Sequence, residues 1–359
     1  MPFRLLIVDD SPLFRLRLSQ VFAASDSLQI VGLATNGRDA IRLLKERRAE
    51  AILLDLEMPE LDGFSVLRWV MSHQPMPVVV CSAQSDHESV FRALEAGAVD
   101  FITKPELRHA IRSEEFAANL RRRVEAAVRS ERAKAQLTKP ESADDESSLE
   151  SEQISQLAAR RKGTEARAVA IVGSAGAPAA VTRIVAELPA DFAHPVIIAL
   201  HMPPGFTRSF ADRLNRMRPA SFSVQEARDG DAIENAQAQF FVAPGGHHTT
   251  FLRKRDGEVQ LRVEAATGDF NAPSANRLLK SLAEVYGSEA LGIVLTGMGE
   301  DGLEGARAVS ERGGAIIVES RQSATIWGMP RAIAEAGLAD AETTLSEIAR
   351  ALPLLVNSK

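Results

Sequence analysis

The stretch Leu5-Leu6-Ile7-Val8-Asp9-Asp10 is an apolar run of strand length that ends in two carboxylates. The same arrangement recurs at Ala51-Ile52-Leu53-Leu54-Asp55, where a carboxylate again follows four apolar residues. Apolar runs of this length alternate with amphipathic segments of helix length along both halves of the chain, which predicts parallel sheets wrapped by helices. We therefore expect an α/β fold in which acidic side chains gather at the carboxyl edge of a sheet, where ligands bind.

The strand candidates divide the chain into two halves. Those of the first half are 4–8, 28–34, 51–54, 78–81 and 99–102, and those of the second half are 168–172, 196–200, 240–242, 292–295 and 315–318. Residues 140–152, between the halves, are acidic, rich in serine and nearly without large apolar side chains, which is typical of a mobile linker. We predict a flavodoxin-like (βα)5 domain over 1–128, a flexible linker over 129–164, and a doubly wound, mostly parallel α/β domain over 165–357.

Composition excludes several classes of protein. The 359 residues are 45% hydrophobic and 25% charged, as in ordinary globular proteins, and the single cysteine, Cys81, rules out an internal disulfide framework. No apolar run approaches the roughly 18–20 residues of a membrane span. The net charge of −6 gives no overall field that favours nucleic acid. We expect a cytoplasmic protein that inserts into no membrane and binds no nucleic acid.

Five polar side chains of the first half follow predicted strands. Asp9 and Asp10 follow the first strand and Asp55 the third, and three carboxylates at one edge repel one another unless a cation lies between them. Oxygen ligands of this kind suit magnesium, which also contacts phosphoryl groups. Ser82 follows the fourth strand and Lys104 the fifth, so that a hydroxyl and a positive charge are added at the same edge. Each residue alone could be a turn residue or a helix cap, but the set predicts a magnesium-dependent phosphate acceptor.

This half resembles the response-regulator receivers. The matching stretches are Val8-Asp9-Asp10-Ser11, residues 54–63, Cys81-Ser82-Ala83 and residues 100–105. The resemblance implies that Asp55 is the phosphoacceptor. It also implies that magnesium binds Asp9, Asp10, Asp55 and the carbonyl of Glu57, that Ser82 and Lys104 contact the phosphoryl group, and that Phe101 is the aromatic switch residue.

In the second half, Ser174 and His201 each follow a predicted strand. Ser174 lies in Gly173-Ser174-Ala175-Gly176-Ala177-Pro178, where small residues permit a tight turn before a helix N-terminus, a natural place for an oxyanion. A phosphate-binding turn is the alternative, but the spacing fits neither Gly-x-Gly-x-x-Gly nor the P-loop, nor the Gly-x-Ser-x-Gly elbow. His201 ends the strand 196–200, and His247 and His248 rank second as candidate bases.

Asp301 completes the set, in the glycine-rich stretch Thr296-Gly297-Met298-Gly299-Glu300-Asp301-Gly302 between a strand and a helix. An acid at this point can simply cap the helix that follows. However, serine, histidine and aspartate all project from strand ends at one edge of one sheet. This convergence is what a hydrolytic triad requires, and a triad is defined by geometry and not by chain order.

The second half closely resembles the CheB family of chemotaxis protein-glutamate methylesterases. The matching stretches are 171–178, 201–207, 209–214, 242–247, 295–302 and 326–331. The resemblance implies that Ser174 is the nucleophile, His201 the general base and acid, Asp301 its orienting partner and the Met298 N–H a donor to the oxyanion. It implies hydrolysis of glutamate methyl esters, and deamidation of particular glutamines, without a cofactor for the esterase.

The order receiver, linker, esterase also implies regulation and partners. We expect the cytoplasmic helices of methyl-accepting chemoreceptors as substrate, a histidine kinase as phosphodonor, and an unphosphorylated receiver that inhibits the esterase. Two rivals are a receiver-coupled transcription regulator, which needs a basic DNA-reading helix that the second half lacks, and an inert module that docks on receptors as a scaffold. Intact Ser174, His201 and Asp301 count against the scaffold.

Four residues depart from the usual pattern of the family. Ala175 stands where threonine is typical, Ala177 replaces a glycine, Leu200 stands where glutamine is common, and Asn276 stands where aspartate is usual. Loss of a polar group beside the nucleophile weakens a hydrogen bond by about 1 kcal/mol net. We therefore expect these residues to tune rate or substrate choice while the triad stays intact.

Overall fold

A computed structural model describes residues 2–82, 87–104, 113–129, 144–189, 191–192, 194–217, 222–233, 240–267 and 272–356. The chain divides into two compact units, Met1–Pro140 and Glu141–Lys359. Within the described ranges, no helix has the length and apolar character needed to cross a membrane.

The first unit is a parallel sheet with helices between its strands. Its strands are β1 (Phe3–Val8), β2 (Leu28–Ala34), β3 (Ala51–Asp55), β4 (Val78–Ser82) and β5 (Asp100–Thr103), and its helices are α1 (Pro12–Ala23), α2 (Gly37–Glu46), α3 (Gly63–His73), α4 (His87–Glu95) and α5 (Glu114–Arg129). The strand order is β2-β1-β3-β4-β5, so the order reverses beside β1 and β3. Ligands bind at such a reversal in open α/β sheets, and this is where the aspartates lie.

The second unit is built on a seven-stranded parallel sheet. Its strands are β6 (Ala168–Gly173), β7 (Val196–Leu200), β8 (Val224–Glu226), β9 (Phe240–Val242), β12 (Ala290–Val294), β13 (Ala315–Glu319) and β14 (Ala341–Thr343), in the order β14-β13-β12-β6-β7-β9-β8. Its helices are α6 (Asp144–Arg160), α7 (Ala177–Glu187), α8 (Phe206–Met217), α9 (Ala275–Tyr286), α10 (Leu303–Glu311), α11 (Met329–Glu335) and α12 (Leu345–Leu355). An antiparallel hairpin of β10 (His247–Arg253) and β11 (Val259–Ala265) lies outside this sheet.

Burial explains why the central strands form. All residues of β6, β7 and β12 are buried, as expected for strands of a parallel sheet that is covered on both faces. Parallel pairing sets β6 between β12 and β7, so the residues that follow these three strands meet at one edge. Ser174, His201 and the loop that leads to Asp301 therefore start from neighbouring positions.

The predicted α/β class is confirmed, and the ten predicted strands are present, three with the predicted bounds and seven with end shifts of one or two residues. The prediction missed four strands. Two of them, β8 and β14, are only three residues long and carry charged side chains, and the other two form the hairpin, whose polar and charged residues hide its alternation. His247 and His248 come after β9, as predicted, and they begin the first strand of the hairpin.

The segment predicted as a flexible linker, 129–164, contains helix α6, which differs from the prediction. Ile154 and Leu157, three residues apart on α6, are buried with 4% and 1% of their surfaces exposed. The side-chain oxygen of Gln153 accepts a hydrogen bond from the Glu342 N–H of the edge strand β14 at 2.9 Å, and Arg160 pairs with Asp340 at 3.0 Å. The helix therefore packs into the second unit through buried apolar side chains in spite of its acidic composition, and it lies against the edge strand β14. Residues 130–143 of the predicted linker lie outside the described residues.

We expect Leu157→Ala to lower the free energy of unfolding of the second unit by about 2–5 kcal/mol, because it removes a fully buried side chain. Trp69 lies in the first unit and Trp327 in the second, and the chain has 2 tryptophans. In a Trp69→Phe background, Trp327 fluorescence during urea unfolding therefore reports the second unit alone. Ala159→Ser, at an exposed position of the same helix, is the control and should change stability by less than about 0.5 kcal/mol. Equal effects of the two substitutions would contradict the packing of α6.

Candidate active site

Ser174 is the first residue after β6 and lies in a tight turn that leads into α7. Its N–H donates to the Thr296 carbonyl at 3.0 Å, and 8% of its surface is exposed. The turn passes through Gly176 at φ 78°, a left-handed conformation, and a Cβ at Gly176 would lie 2.7 Å from Thr325 Cβ. Glycine is therefore required here on two grounds, backbone conformation and space.

His201 follows β7, the neighbour of β6. The strand register pairs Gly173 with Leu200, and the His201 N–H donates to the Gly173 carbonyl at 3.2 Å, so His201 lies beside Ser174 along the sheet edge. Nε2 of His201 lies 2.9 Å from Oδ2 of Asp301. Within the described ranges, no hydrogen bond joins Ser174 Oγ to the ring. Because Nε2 carries the proton shared with Asp301, Nδ1 holds the lone pair that can accept a proton.

Asp301 is bound to the N-terminus of α9. Its Oδ2 accepts from the Ala275 N–H at 2.8 Å, and its Oδ1 accepts from the Asn276 N–H at 3.0 Å and from Ser274 Oγ at 3.2 Å. Burial alone would raise the pKa of Asp301, but His201 and the backbone donors of Asn276 and Ala275 outweigh it and lower the pKa. The carboxylate is therefore held in its charged form, which fixes the His201 ring and stabilises an imidazolium.

Asn276 performs the reciprocal role for α10, the helix that follows Asp301. Its Oδ1 accepts from the Gly302 N–H at 3.1 Å and from the Gly305 N–H at 2.8 Å. The N-cap of α10, Gly302, has no side chain to do this. Asp301, just before α10, thus caps the N-terminus of α9, and Asn276, at the start of α9, caps the N-terminus of α10. Asp301 lies between the two helix ends. The sequence marked Asn276 only as a departure from the family and missed this contact, because it joins residues that are far apart in the chain.

In the loop after β12, the peptide groups of Thr296 and Gly297 are fixed by hydrogen bonds. The Gly297 N–H donates to the Ile326 carbonyl at 2.9 Å, and a Cβ on Gly297 would lie 3.0 Å from Ser174 Cβ. Across the part of the chain that the structure describes, the N–H groups of Met298 and Ala175 donate to no acceptor. Both N–H groups are therefore left to donate to a bound acceptor.

The alternative bases lie elsewhere in the site. The ring of His247 is hydrogen-bonded through Nδ1 to the Gly245 carbonyl at 3.1 Å. His248 is buried, and its Nδ1 accepts from the Ser274 N–H at 3.3 Å. His248 therefore supports the residue that caps α9, whereas His201 is the histidine bonded to Asp301.

In the first unit, oxygen atoms of Asp9, Asp10 and Asp55 lie within 4.8 Å of one another. Lys104 Nζ lies 2.7 Å from Asp9 and 2.5 Å from Asp55, and the Lys104 N–H donates to the Ser82 carbonyl. The Glu57 N–H donates to Asp55 Oδ1 at 3.3 Å, which places Glu57 beside the same cluster. The side chains of Asp9, Asp55 and Lys104 therefore meet at this edge of the sheet, and Asp10 lies close to them.

The electrostatics of this cluster suit a hard divalent cation. Burial raises the pKa of Asp55 to about 6, against the lowering effect of Lys104. Burial would lower the pKa of Lys104, but Asp55 and Asp9 raise it above its usual value, so the lysine stays charged. In the described residues, Ser82 Oγ is buried without a hydrogen-bond partner, as expected of a donor whose ligand is a phosphoryl oxygen. Phe101 is buried on β5, and Ala83 and Pro105 lie outside the described residues.

Comparisons with known proteins place both units in one family. A family model described as CheB methylesterase matches residues 169–352, and one described as response regulator receiver domain matches residues 5–114. A Geobacter sulfurreducens protein named protein-glutamate methylesterase/protein-glutamine glutaminase 3 is 36% identical over 361 residues, which covers 97% of this chain and 95% of the relative. The chain belongs to the CheB methylesterase family.

Two further matches support this family. A Myxococcus xanthus protein-glutamate methylesterase/protein-glutamine glutaminase 5 is 39% identical and covers 94% of this chain and 93% of its own. The crystal structure of the Thermotoga maritima CheB methylesterase catalytic domain superposes with a TM-score of 0.50 at 33% identity, over 53% of this chain and 99% of that domain. The predictions of an ester hydrolase of the CheB type and of a response-regulator receiver are confirmed.

The pKa of Asp301 predicts how stability depends on pH. Because the folded-state pKa is lowered, its contribution is complete above the unfolded pKa of about 4 and is lost as pH falls through the folded pKa. We expect the stability difference between the parent protein and Asp301→Asn to shrink as pH falls from 6 to below about 4. Urea unfolding followed by Trp327 fluorescence in the Trp69→Phe background measures it. Asp212→Asn, at an exposed helix position, should show no such trend. A stability difference between the parent protein and Asp301→Asn that stays constant over this pH range would contradict the prediction.

Proposed function

We propose that the second unit hydrolyses glutamate methyl esters on chemoreceptors, with Ser174 as nucleophile, His201 as general base and acid, and Asp301 as its orienting partner. The observation that carries the proposal is the 2.9 Å contact between His201 Nε2 and an Asp301 carboxylate that is bound to the N-terminus of α9. This contact turns Nδ1 of His201 away from Asp301, at a residue whose backbone lies next to the Ser174 turn.

The proposed reaction proceeds in two steps. His201 Nδ1 takes the proton of Ser174 Oγ while the oxygen attacks the ester carbonyl carbon, and the oxyanion accepts hydrogen bonds from the Met298 and Ala175 N–H groups. The intermediate collapses as the bond to the methoxy oxygen breaks, and His201 donates its proton so that methanol leaves. Water then attacks the acyl-enzyme with His201 again as base, which releases the glutamate carboxylate and restores Ser174. Asp301 stays ionised throughout and stabilises the imidazolium.

The same acyl chemistry accepts a glutamine side chain. With an amide as substrate, His201 protonates the leaving nitrogen, ammonia departs, and the product is again a glutamate. The names of the relatives, protein-glutamate methylesterase/protein-glutamine glutaminase, support this second substrate. No cofactor takes part in either reaction.

The first unit is proposed to switch this activity. Asp55 accepts a phosphoryl group from a histidine kinase, and Ser82 Oγ and Lys104 Nζ bind its oxygens. Magnesium would be held by Asp9, Asp10, Asp55 and the Glu57 carbonyl, and when bound it neutralises the charge of the phosphoryl group during transfer. Phe101 is the aromatic switch residue, which responds to phosphorylation of Asp55. The receiver inhibits the esterase until Asp55 is phosphorylated. The cycle serves adaptation in a cytoplasmic two-component chemotaxis pathway.

Methanol release from membranes that contain methylated receptors tests the esterase. The wild-type chain is expected to release methanol, and Ser174→Ala to reduce the rate by about 10⁴-fold or more, because the nucleophile is lost. Ser310→Ala, at an exposed position of α10, is the matched control and should retain the wild-type rate. Undiminished release by Ser174→Ala would refute the assignment of the nucleophile.

Phosphorylation control is tested with acetyl phosphate and Mg²⁺. These are expected to raise methanol release by the full chain, and Asp55→Asn to abolish that increase, because it has no carboxylate to phosphorylate. A fragment that begins at residue 141, and so keeps α6, should be active without phosphodonor. The inhibitory role of the receiver would be contradicted if this fragment and the unphosphorylated full chain had the same activity.

A further inference from the structure

Glu319 is a buried carboxylate that the proposed reaction does not use. It is the last residue of β13, at the same sheet edge as Ser174 and Asp301, and 0% of its surface is exposed. Burying a carboxylate is costly unless its oxygens are hydrogen-bonded. A residue of this kind beside a candidate active site therefore calls for a physical reason.

The hydrogen bonds of Glu319 lead to the catalytic loop. Its Oε2 accepts from the Thr296 N–H at 2.7 Å, and its Oε1 accepts from Ser323 Oγ at 2.9 Å. Thr296 lies two residues after β12 and is itself buried. The first of these bonds satisfies a buried N–H group, which would otherwise carry its full desolvation penalty.

Thr296 in turn fixes the nucleophile turn. Its carbonyl accepts from the Ser174 N–H at 3.0 Å, and its Oγ1 donates to the Ala175 carbonyl at 2.9 Å. The same Oγ1 accepts from the Ile326 N–H at 2.8 Å. One threonine therefore ties the turn that carries Ser174 to the loop that contains Ile326, and Glu319 holds the peptide of that threonine.

The bonds continue to the oxyanion donor. The Gly297 N–H donates to the Ile326 carbonyl, and the Gly297 carbonyl accepts from the N–H groups of Gly328 and Met329 at 3.1 and 2.9 Å. Thr296 and Gly297 are thereby fixed on both sides. Met298 follows Gly297 in the chain. The direction of the Met298 N–H is therefore set by the Thr296 and Gly297 peptides, and the first of these is held by Glu319.

We propose that Glu319 is a positioning residue of the esterase site, which holds the Thr296 peptide so that Ser174 and the Met298 N–H face the same point. This inference rests on the proposed function, because it takes the roles of Ser174 and Met298 from it. What Thr296 needs from residue 319 is a hydrogen-bond acceptor, so glutamine should replace glutamate. Its Oε1 can accept from the Thr296 N–H while its amide donates to Ser323 Oγ.

Three substitutions in the full chain separate positioning from simple stabilisation. Glu319→Met keeps the volume but removes the acceptor, and is expected to lower kcat by about 100-fold with KM within about twofold, because the donor is displaced from the transition state more than from the bound ester. Glu319→Gln should restore kcat to within about threefold of wild type. Ser323→Ala, which leaves the Thr296 bond in place, is the matched control with the same expectation.

The measurements are kcat and KM for methanol release after activation with acetyl phosphate, with Tm recorded for each variant. A wild-type kcat in folded Glu319→Met would overturn the inference, and so would a 100-fold loss in folded Glu319→Gln. If Glu319→Met does not fold, Glu319→Gln and Ser323→Ala still test the inference, because it requires both variants to keep a kcat within about threefold of wild type. A failure of the proposed function is distinguishable, since wild type would then release no more methanol than Ser174→Ala.

Discussion

The arrangement of the esterase site depends on one carboxylate, that of Asp301, at the N-terminus of α9. Three donors from residues 274–276 and the ring of His201 converge on its two oxygens. The helix N-terminus supplies positive potential, so the aspartate is held ionised even though it is mostly buried. An ionised Asp301 fixes the His201 ring with Nε2 toward it, and only then does Nδ1 present a lone pair. The orientation of the His201 ring therefore depends on helix packing as much as on the sheet.

Both units place carboxylates at the carboxyl edge of a parallel sheet, but the negative charge of these carboxylates is compensated differently in the two units. In the first unit Asp9 and Asp55 share Lys104, and a third carboxylate, Asp10, lies close by, which leaves a net negative site suited to a cation. In the second unit Asp301, which is mostly buried, and Glu319, which is fully buried, accept hydrogen bonds from N–H and O–H donors. The first site therefore keeps an excess of negative charge, whereas the two carboxylates of the second are hydrogen-bonded by groups of the protein itself.

The sequence predicts those parts of the fold and of the site that depend on a local pattern of residues, and it does not predict contacts between loops that are far apart in the chain. The convergence of Ser174, His201 and Asp301 was predictable because Ser174 and His201 directly follow apolar strands and Asp301 lies in the loop after a third, and strand ends meet in a parallel sheet. The contact between Asn276 and Gly305 and that between Glu319 and Thr296 were not, because they join separate loops and leave no periodic signal. Helix α6 was hidden by its acidic composition, although Ile154 and Leu157 stand three apart as on one helix face. The hairpin of β10 and β11 was missed for a related reason, since polar and charged residues interrupt its alternation.

The surroundings of Ala175, Ala177 and Leu200 explain in physical terms how the chain departs from the family pattern near Ser174. Ala175 is buried, and the group that it contributes to the site is its backbone, whose carbonyl accepts from Thr296 Oγ1. Ala177 is fully buried, and its Cβ lies where a side chain on Gly173 would collide at 2.6 Å. Leu200, also fully buried, belongs to the apolar interior of the sheet. These three residues fill space, and a hydroxyl or an amide in their place would need a new buried partner. Ala175 therefore contributes to the surroundings of Ser174 through its peptide group and not through a polar side chain.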